Sequence, residues 1–123
     1  MSKVSYILVM TLLSLLLFGC GKDQDKIVTG YCKALEAGKL DEATSYLSKD
    51  AKQVLERAGG KSLLAASASA FKQRRGIKAI EITKTNVTGE KAIVEFVYKF
   101  NDGSKISDFF PLVKEDGAWK ITK

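Results

Sequence analysis

The spacing of hydrophobic positions along this chain changes once, and the change divides it in two. Ile27, Val28, Tyr31, Cys32 and Leu35 recur at three- and four-residue steps, which places them on one face of a helix. Asp23 or Asp25 stands where its N-cap belongs, and Gly38 where it should stop. A second short helix is predicted behind Leu40, capped by Asp41, with Ala43, Tyr46 and Leu47 turned inward. Ser48 caps a third through Val54 and Leu55, closed by Gly59 and Gly60. Ser62 to Arg75, rich in Ala and Ser, reads as a fourth, with Leu63, Leu64, Ala68, Ala70 and Phe71 as packing positions.

After Gly76 the period falls from about 3.6 to two, the signature of strands. Ile80 and Ile82 alternate in a first strand ending near Asn86. Ala92, Val94, Phe96, Tyr98 and Phe100 give a second strand one continuous inward face. Asp102-Gly103 and Asp116-Gly117 are two-residue hairpin signals, because a type I′ turn needs positive φ at both central positions. The third strand carries Ile106, Phe109, Phe110, Leu112 and Val113, and Pro111, which has no N–H, predicts a bulge or an edge within it. The fourth is short, with Trp119 and Ile121 inward and Lys120 outward. The expectation is an α+β domain of three to four N-terminal helices packed on a curved four-stranded antiparallel sheet.

The N-terminus follows a different logic. No charge falls between Lys3 and Gly19, and Tyr6 to Phe18 is almost wholly apolar. As a helix that run spans about 20 Å, short of the roughly 30 Å hydrocarbon core, so it fits a signal-peptide core behind a basic start. Leu17-Phe18-Gly19-Cys20 resembles the lipobox of bacterial lipoproteins, although Phe18 stands where a smaller residue is commoner. The resemblance implies cleavage between Gly19 and Cys20 and acylation of Cys20, with residues 1–19 removed, 20–24 a short lipidated tether and 25–123 the domain. Gly21 follows the cysteine in place of Asp, so the resemblance gives no inner-membrane retention signal. The expected location is the outer membrane facing the periplasm, with the outer face of the plasma membrane as the alternative. Lys22 and Lys26 would then lie in the headgroup zone, as a membrane contact or as plain solvated charges.

Composition narrows the chemistry. The chain of 123 residues carries 20 Lys and Arg against 14 Asp and Glu, and it has no histidine. One domain is accommodated, and most acid–base triads and metal sites lose their usual ligand. We expect no cofactor, no metal site and no catalytic constellation. Gly60-Lys61-Ser62 lacks the upstream glycine and strand of a phosphate loop, since Leu55 occupies the glycine position. Lys72, Arg74, Arg75 and Lys78 are better read as cations at a helix C-terminus than as a nucleic-acid patch, and no nucleic-acid partner is expected. Cys32, on the apolar stripe, reads as a buried thiol. Glu81 and Glu95 each stand isolated.

Over nearly the whole segment after Cys20 a family resemblance is carried by Tyr31 through Leu35, Gly38-Lys39-Leu40-Asp41-Glu42-Ala43, Gly76-Ile77 and Leu112 through Ile121. These stretches resemble the small nuclear-transport-factor-two-like lipoproteins of bacteria. The resemblance implies a cone, a curved sheet wrapped around a long helix, with an open end that relatives use for ligands, catalysis or dimer contacts. Tyr31, Tyr46, Tyr98 and Trp119 are the candidate ligand-binding residues, weighed against a plain core role, since an inward tyrosine needs a partner for its hydroxyl. The leading expectation is a membrane-anchored, non-enzymatic envelope module for a protein partner or a small amphipathic ligand. The alternatives are a small hydrolase or isomerase using Tyr or Asp in the cone, and a structural or phage- or toxin-immunity role. Outward positions Lys91, Ile93, Glu95, Val97 and Lys99 are compatible with a homodimer face.

Overall fold

The computed structural model describes residues 22–123, so Gly19, Cys20 and the apolar leader lie outside the described residues. Four helices precede four strands: α1 (Asp23–Glu36), α2 (Leu40–Ser45), α3 (Lys49–Arg57), α4 (Lys61–Gln73), β1 (Ile77–Thr88), β2 (Lys91–Phe100), β3 (Lys105–Glu115) and β4 (Ala118–Ile121). The strands pair antiparallel in the order β1-β2-β3-β4. The helices pack on one face of this sheet, in the α+β arrangement the periodicities predict.

The core forms where the two periods meet. Val28, Cys32 and Leu35 of α1, Ala43 of α2, and Leu64 and Phe71 of α4 close on Ala92, Val94, Phe96, Tyr98 and Phe100 of β2, with Leu112 and Ile121 beside them. All five inward positions of β2 are buried. Leu63 and Ala70, by contrast, turn to solvent, so α4 buries a narrower stripe than its apolar composition suggests.

Helix starts differ from expectation in a consistent way. Ser48 caps α3 as predicted, accepting a hydrogen bond from the Ala51 N–H at 3.1 Å. Asp23 and Asp25 lie inside the first turn of α1, whose cap position is Lys22, and Asp41 lies inside α2, capped at Lys39. There they act through the helix dipole, which favours negative charge in the first turn. Asp25 has a second task, accepting from the Thr85 hydroxyl at 2.5 Å and so seating the start of α1 against β1.

The turns separate by backbone sign. Asp116 (φ 51°) and Gly117 (φ 80°) both adopt positive φ, as a type I′ hairpin requires. Of Asp102-Gly103 only the glycine does, at φ 90°. The loop is three residues long: Phe100 N–H donates to the Ser104 carbonyl and Gly103 N–H to the Phe100 carbonyl, each at 3.0 Å. The Asp102 carboxylate accepts from the Ser104 N–H and hydroxyl, a local bond that competes with the two-residue turn. Those bonds also hold the Asp102 carboxyl below its usual range.

Pro111 causes no bulge, because β2 and β3 pair without a register shift. Its carbonyl accepts from the Thr122 N–H at 2.8 Å, so its nitrogen also points to the β4 side, just past the last β3–β4 pair, Leu112–Ile121. That is the edge position proline tolerates. The irregularities lie instead in β1, between Ile77 and Ala79 and between Ile82 and Lys84. The outer side of β4 is closed by Tyr46–Ser48, through Ile121 N–H to the Tyr46 carbonyl and Ser48 N–H to the Ile121 carbonyl, both 2.8 Å.

Candidate functional site

The interior holds an aromatic chain that links sheet to helices. Phe96 lies 5.0 Å from Tyr98 and 5.1 Å from Phe110, Tyr31 meets Phe110 edge-on at 5.6 Å, and Phe71 lies 5.3 Å from Tyr98 and 6.0 Å from Phe100. These separations suit offset and edge-to-face packing. Phe96, only 1% exposed, stands at its centre.

Two of the four candidate binding residues meet here. Tyr98 is buried, with its hydroxyl 3.5 Å from the Cys32 sulfur, and half-buried Tyr31 precedes Cys32 on α1. Burial, with the neighbouring thiol, pushes the Tyr31 hydroxyl up to about 12 and the Tyr98 hydroxyl further still. Burial pushes the Cys32 thiol up to about 11, against the hydrogen bond with Tyr98, which works the other way. All three therefore stay neutral at physiological pH, as packing groups with internal partners. Tyr46 and Trp119 lie outside this cluster. The Tyr46 hydroxyl presses on Gly30, where an added Cβ would fall 2.5 Å away, and Trp119 on β4 lies under the Lys114 ammonium at 6.0 Å. The four residues thus do not line one hollow.

The basic cluster resolves into structural parts. Arg74 stacks over the Phe100 ring at 5.3 Å and donates to the Ser104 hydroxyl at 3.0 Å, while Lys72, Arg75 and Lys78 are exposed. Glu81 pairs with Lys99 across β1 and β2, and that ammonium holds its carboxyl below the usual range. Among the described residues no three His, Cys, Asp or Glu side chains gather as a metal ion would need, and no helix is long and apolar enough to cross a membrane.

The larger hollow lies on the outer sheet face. It measures about 490 Å³ and its floor is formed by Ile93, Pro111 and Val113, with Asn86 and Thr88 on the β1 side. Charged Lys91, Lys123, Asp50 and Glu115 stand around it. Strand alternation explains the placing: Ala92 and Leu112 point into the core, so Lys91, Ile93, Pro111 and Val113 point away from it. Ile93 is 47% exposed, and Phe109, on the same face one pair further along, 58%. Of these residues the periodicity identifies Lys91 and Ile93 as outward. Asp50 and Lys123 join them only through the fold, since α3 and the chain segment after β4 reach this face from distant parts of the sequence. A smaller hollow of about 260 Å³ lies between α1 and β1, lined by Thr29, Lys33, Glu36 and Ile77 among others.

A family model described as a domain of unknown function, DUF4878, matches residues 18–122. A search of the curated proteins finds no match. Among solved structures, a Campylobacter jejuni protein carrying the name NTF2-like transpeptidase superposes with a TM-score of 0.70 at 20% identity, over 83% of this chain and 99% of its own. An NTF2-like protein of unknown function from Methylobacillus flagellatus gives 0.57 at 24%, over 80% and 83%. A de novo designed NTF2 fold protein gives 0.53 at 21%, over 80% of each chain. At these identities the likeness is one of fold: four helices on a curved four-stranded antiparallel sheet.

Proposed function

The chain belongs to the DUF4878 family of domains of unknown function, and within it we propose a lipid-anchored envelope lipoprotein whose NTF2-like domain works as a binding module. One observation carries the binding reading. The interior is occupied by Phe71, Phe96, Tyr98, Phe100 and Phe110, whereas the exposed side chains of Ile93 and Phe109 and the larger hollow lie together on the outer sheet face. Recognition is therefore assigned to that face, for an envelope protein partner, a small amphipathic ligand or a second copy. The anchor rests on the lipobox resemblance at Leu17 to Cys20, and the outer membrane facing the periplasm is the favoured site.

A second reading, a small hydrolase or isomerase working inside the cone, has Asp108 in its favour. That residue is exposed, yet it pairs with Phe96 in the β2–β3 register and acts electrostatically on Tyr98 and Cys32. The raised pKa values of both neighbours weigh against it, because a general base needs a pKa near the working pH.

The test is intact-mass measurement of the membrane-extracted protein, joined to crosslinking in intact envelopes. The expected result is a Cys20-acylated chain lacking residues 1–19, with crosslinks from the Ile93 and Phe109 face. An unmodified Cys20 would overturn the anchor, and crosslinks confined to the helical face would overturn the binding surface.

A further inference from the structure

The outer-face hollow has a charge pattern that selects among ligands. Two lysines, Lys91 and Lys123, and two carboxylates, Asp50 and Glu115, stand around an apolar floor. Among the described residues the ion pairs are Lys61–Asp41 and Lys99–Glu81, so none of these four charges is paired with another. Glu115 accepts only long contacts from the Lys49 N–H, at 3.3 and 3.4 Å. Charges of both signs held apart around one apolar hollow complement a ligand that carries both signs itself.

We propose that this hollow binds the headgroup of a phosphoethanolamine phospholipid, the phosphate against Lys91 and Lys123 and the ammonium against Asp50 and Glu115. An anionic headgroup would satisfy the lysines and meet two unpaired carboxylates. A quaternary ammonium is ordinarily held by aromatic faces, and no aromatic residue lines the hollow. A primary ammonium has three donors for carboxylate oxygens. The apolar floor at Ile93, Pro111 and Val113 continues to Phe109 on the same face, giving the start of an acyl chain a surface to lie on. The volume suits a site of this kind, since small-molecule sites run from about 300 to 1,000 Å³.

The hollow is also placed for such a ligand, and here the proposal rests on the lipid-anchor reading. Asn86, on its wall, adjoins Thr85, which holds Asp25 in the first turn of α1. The described chain begins at that pole, at Lys22, and two extended residues span about 7 Å at most. A lipidated Cys20 would therefore keep the pole that carries the hollow beside the headgroups.

The experiment titrates the detergent-solubilised full chain with dihexanoyl phosphatidylethanolamine, phosphatidylcholine and phosphatidylglycerol below their micellar concentrations, read by calorimetry and native mass spectrometry. Phosphatidylethanolamine should bind one-to-one and about ten-fold tighter than either of the others, and Lys91→Glu and Asp50→Lys should each remove about that factor. Thermal unfolding by circular dichroism checks that both variants fold. Ile93→Ser, which leaves the charges in place, should weaken the dihexanoyl lipid while leaving the headgroup preference. Equal affinity for the three lipids, tighter binding of phosphatidylglycerol, or variants that bind like the parent would overturn the proposal. Cys20→Ser separates the two readings. It should abolish vesicle flotation and leave the affinity for dihexanoyl phosphatidylethanolamine unchanged, whereas undiminished flotation would refute the anchor alone.

Discussion

Replacing Phe96 with alanine tests the claim that the interior is filled. Phe96 is almost wholly buried, in ring contact with Tyr98 and Phe110, and sits between Val94 and Tyr98 on the inward face of β2. Losing the burial of its ring costs about 2–3 kcal/mol in transfer terms. The cavity left behind raises the total to about 3–5 kcal/mol, because Tyr98 and Phe110 are held by their own contacts with Phe71 and Tyr31 and cannot collapse into the gap. A domain of this size has about 5–15 kcal/mol to lose. With a urea slope of about 2 kcal/mol per molar, the unfolding midpoint should fall by about 2 M. The assay is urea denaturation followed by far-ultraviolet circular dichroism, with Phe109→Ala on the solvent-facing side of the sheet as the companion. That variant should stay within about 1 kcal/mol of the parent. A loss below about 1 kcal/mol for Phe96→Ala, or equal losses for the two phenylalanines, would mean that the ring cluster does not fill the space and that an open interior must be reconsidered.

Four further outcomes follow from the geometry. Ser48→Ala removes both the α3 cap and the 2.9 Å bond from its hydroxyl to that of Thr122, and should cost about 1–2 kcal/mol in the same assay. Cys32 should resist a thiol reagent at pH 8 until denaturant is added, since burial pushes its thiol up to about 11, above the ordinary thiol range. The same shift makes stability pH-dependent with a definite sign: the folded state keeps the proton longer, so the contribution is full below about pH 9 and is lost as pH rises through about 11, as alkaline titration of the urea midpoint would show. Gly30→Val should displace the Tyr46 ring, which touches that position, and lower the melting temperature. Tyr46→Leu in the same chain should restore part of it.

The helices and β2 were readable because one-sided burial writes itself into period. Val28, Cys32 and Leu35 at helical spacing and the five alternating positions from Ala92 to Phe100 each need only their own segment to be interpreted. Caps were less legible: Asp23, Asp25 and Asp41 look like cap residues, yet the cap positions lie one to three residues earlier, where backbone geometry and the dipole suffice. The Asp102-Gly103 turn could not be resolved from the dipeptide, because the Ser104 partner that favours the longer loop competes with it. Pro111 was readable as an edge residue, but which neighbour it faced depended on where β4 stopped. The outer hollow was the least legible feature. Its lining comes from α3, β1, β2, β3 and the residues after β4, and no local pattern records that Asp50 and Lys123 share a wall with Lys91.

The seal that Tyr46–Ser48 places along β4 governs how copies of this chain can behave at high density. With that flank bonded to its own backbone at Ile121 and only four residues long, β1 is the longer edge left to recruit a foreign strand. There the two register irregularities and the exposed ammonium groups of Lys78 and Lys84 interrupt any straight row of donors and acceptors. Crowding should therefore bring these molecules together through side chains and reversibly, without seeding runaway polymerisation into fibres.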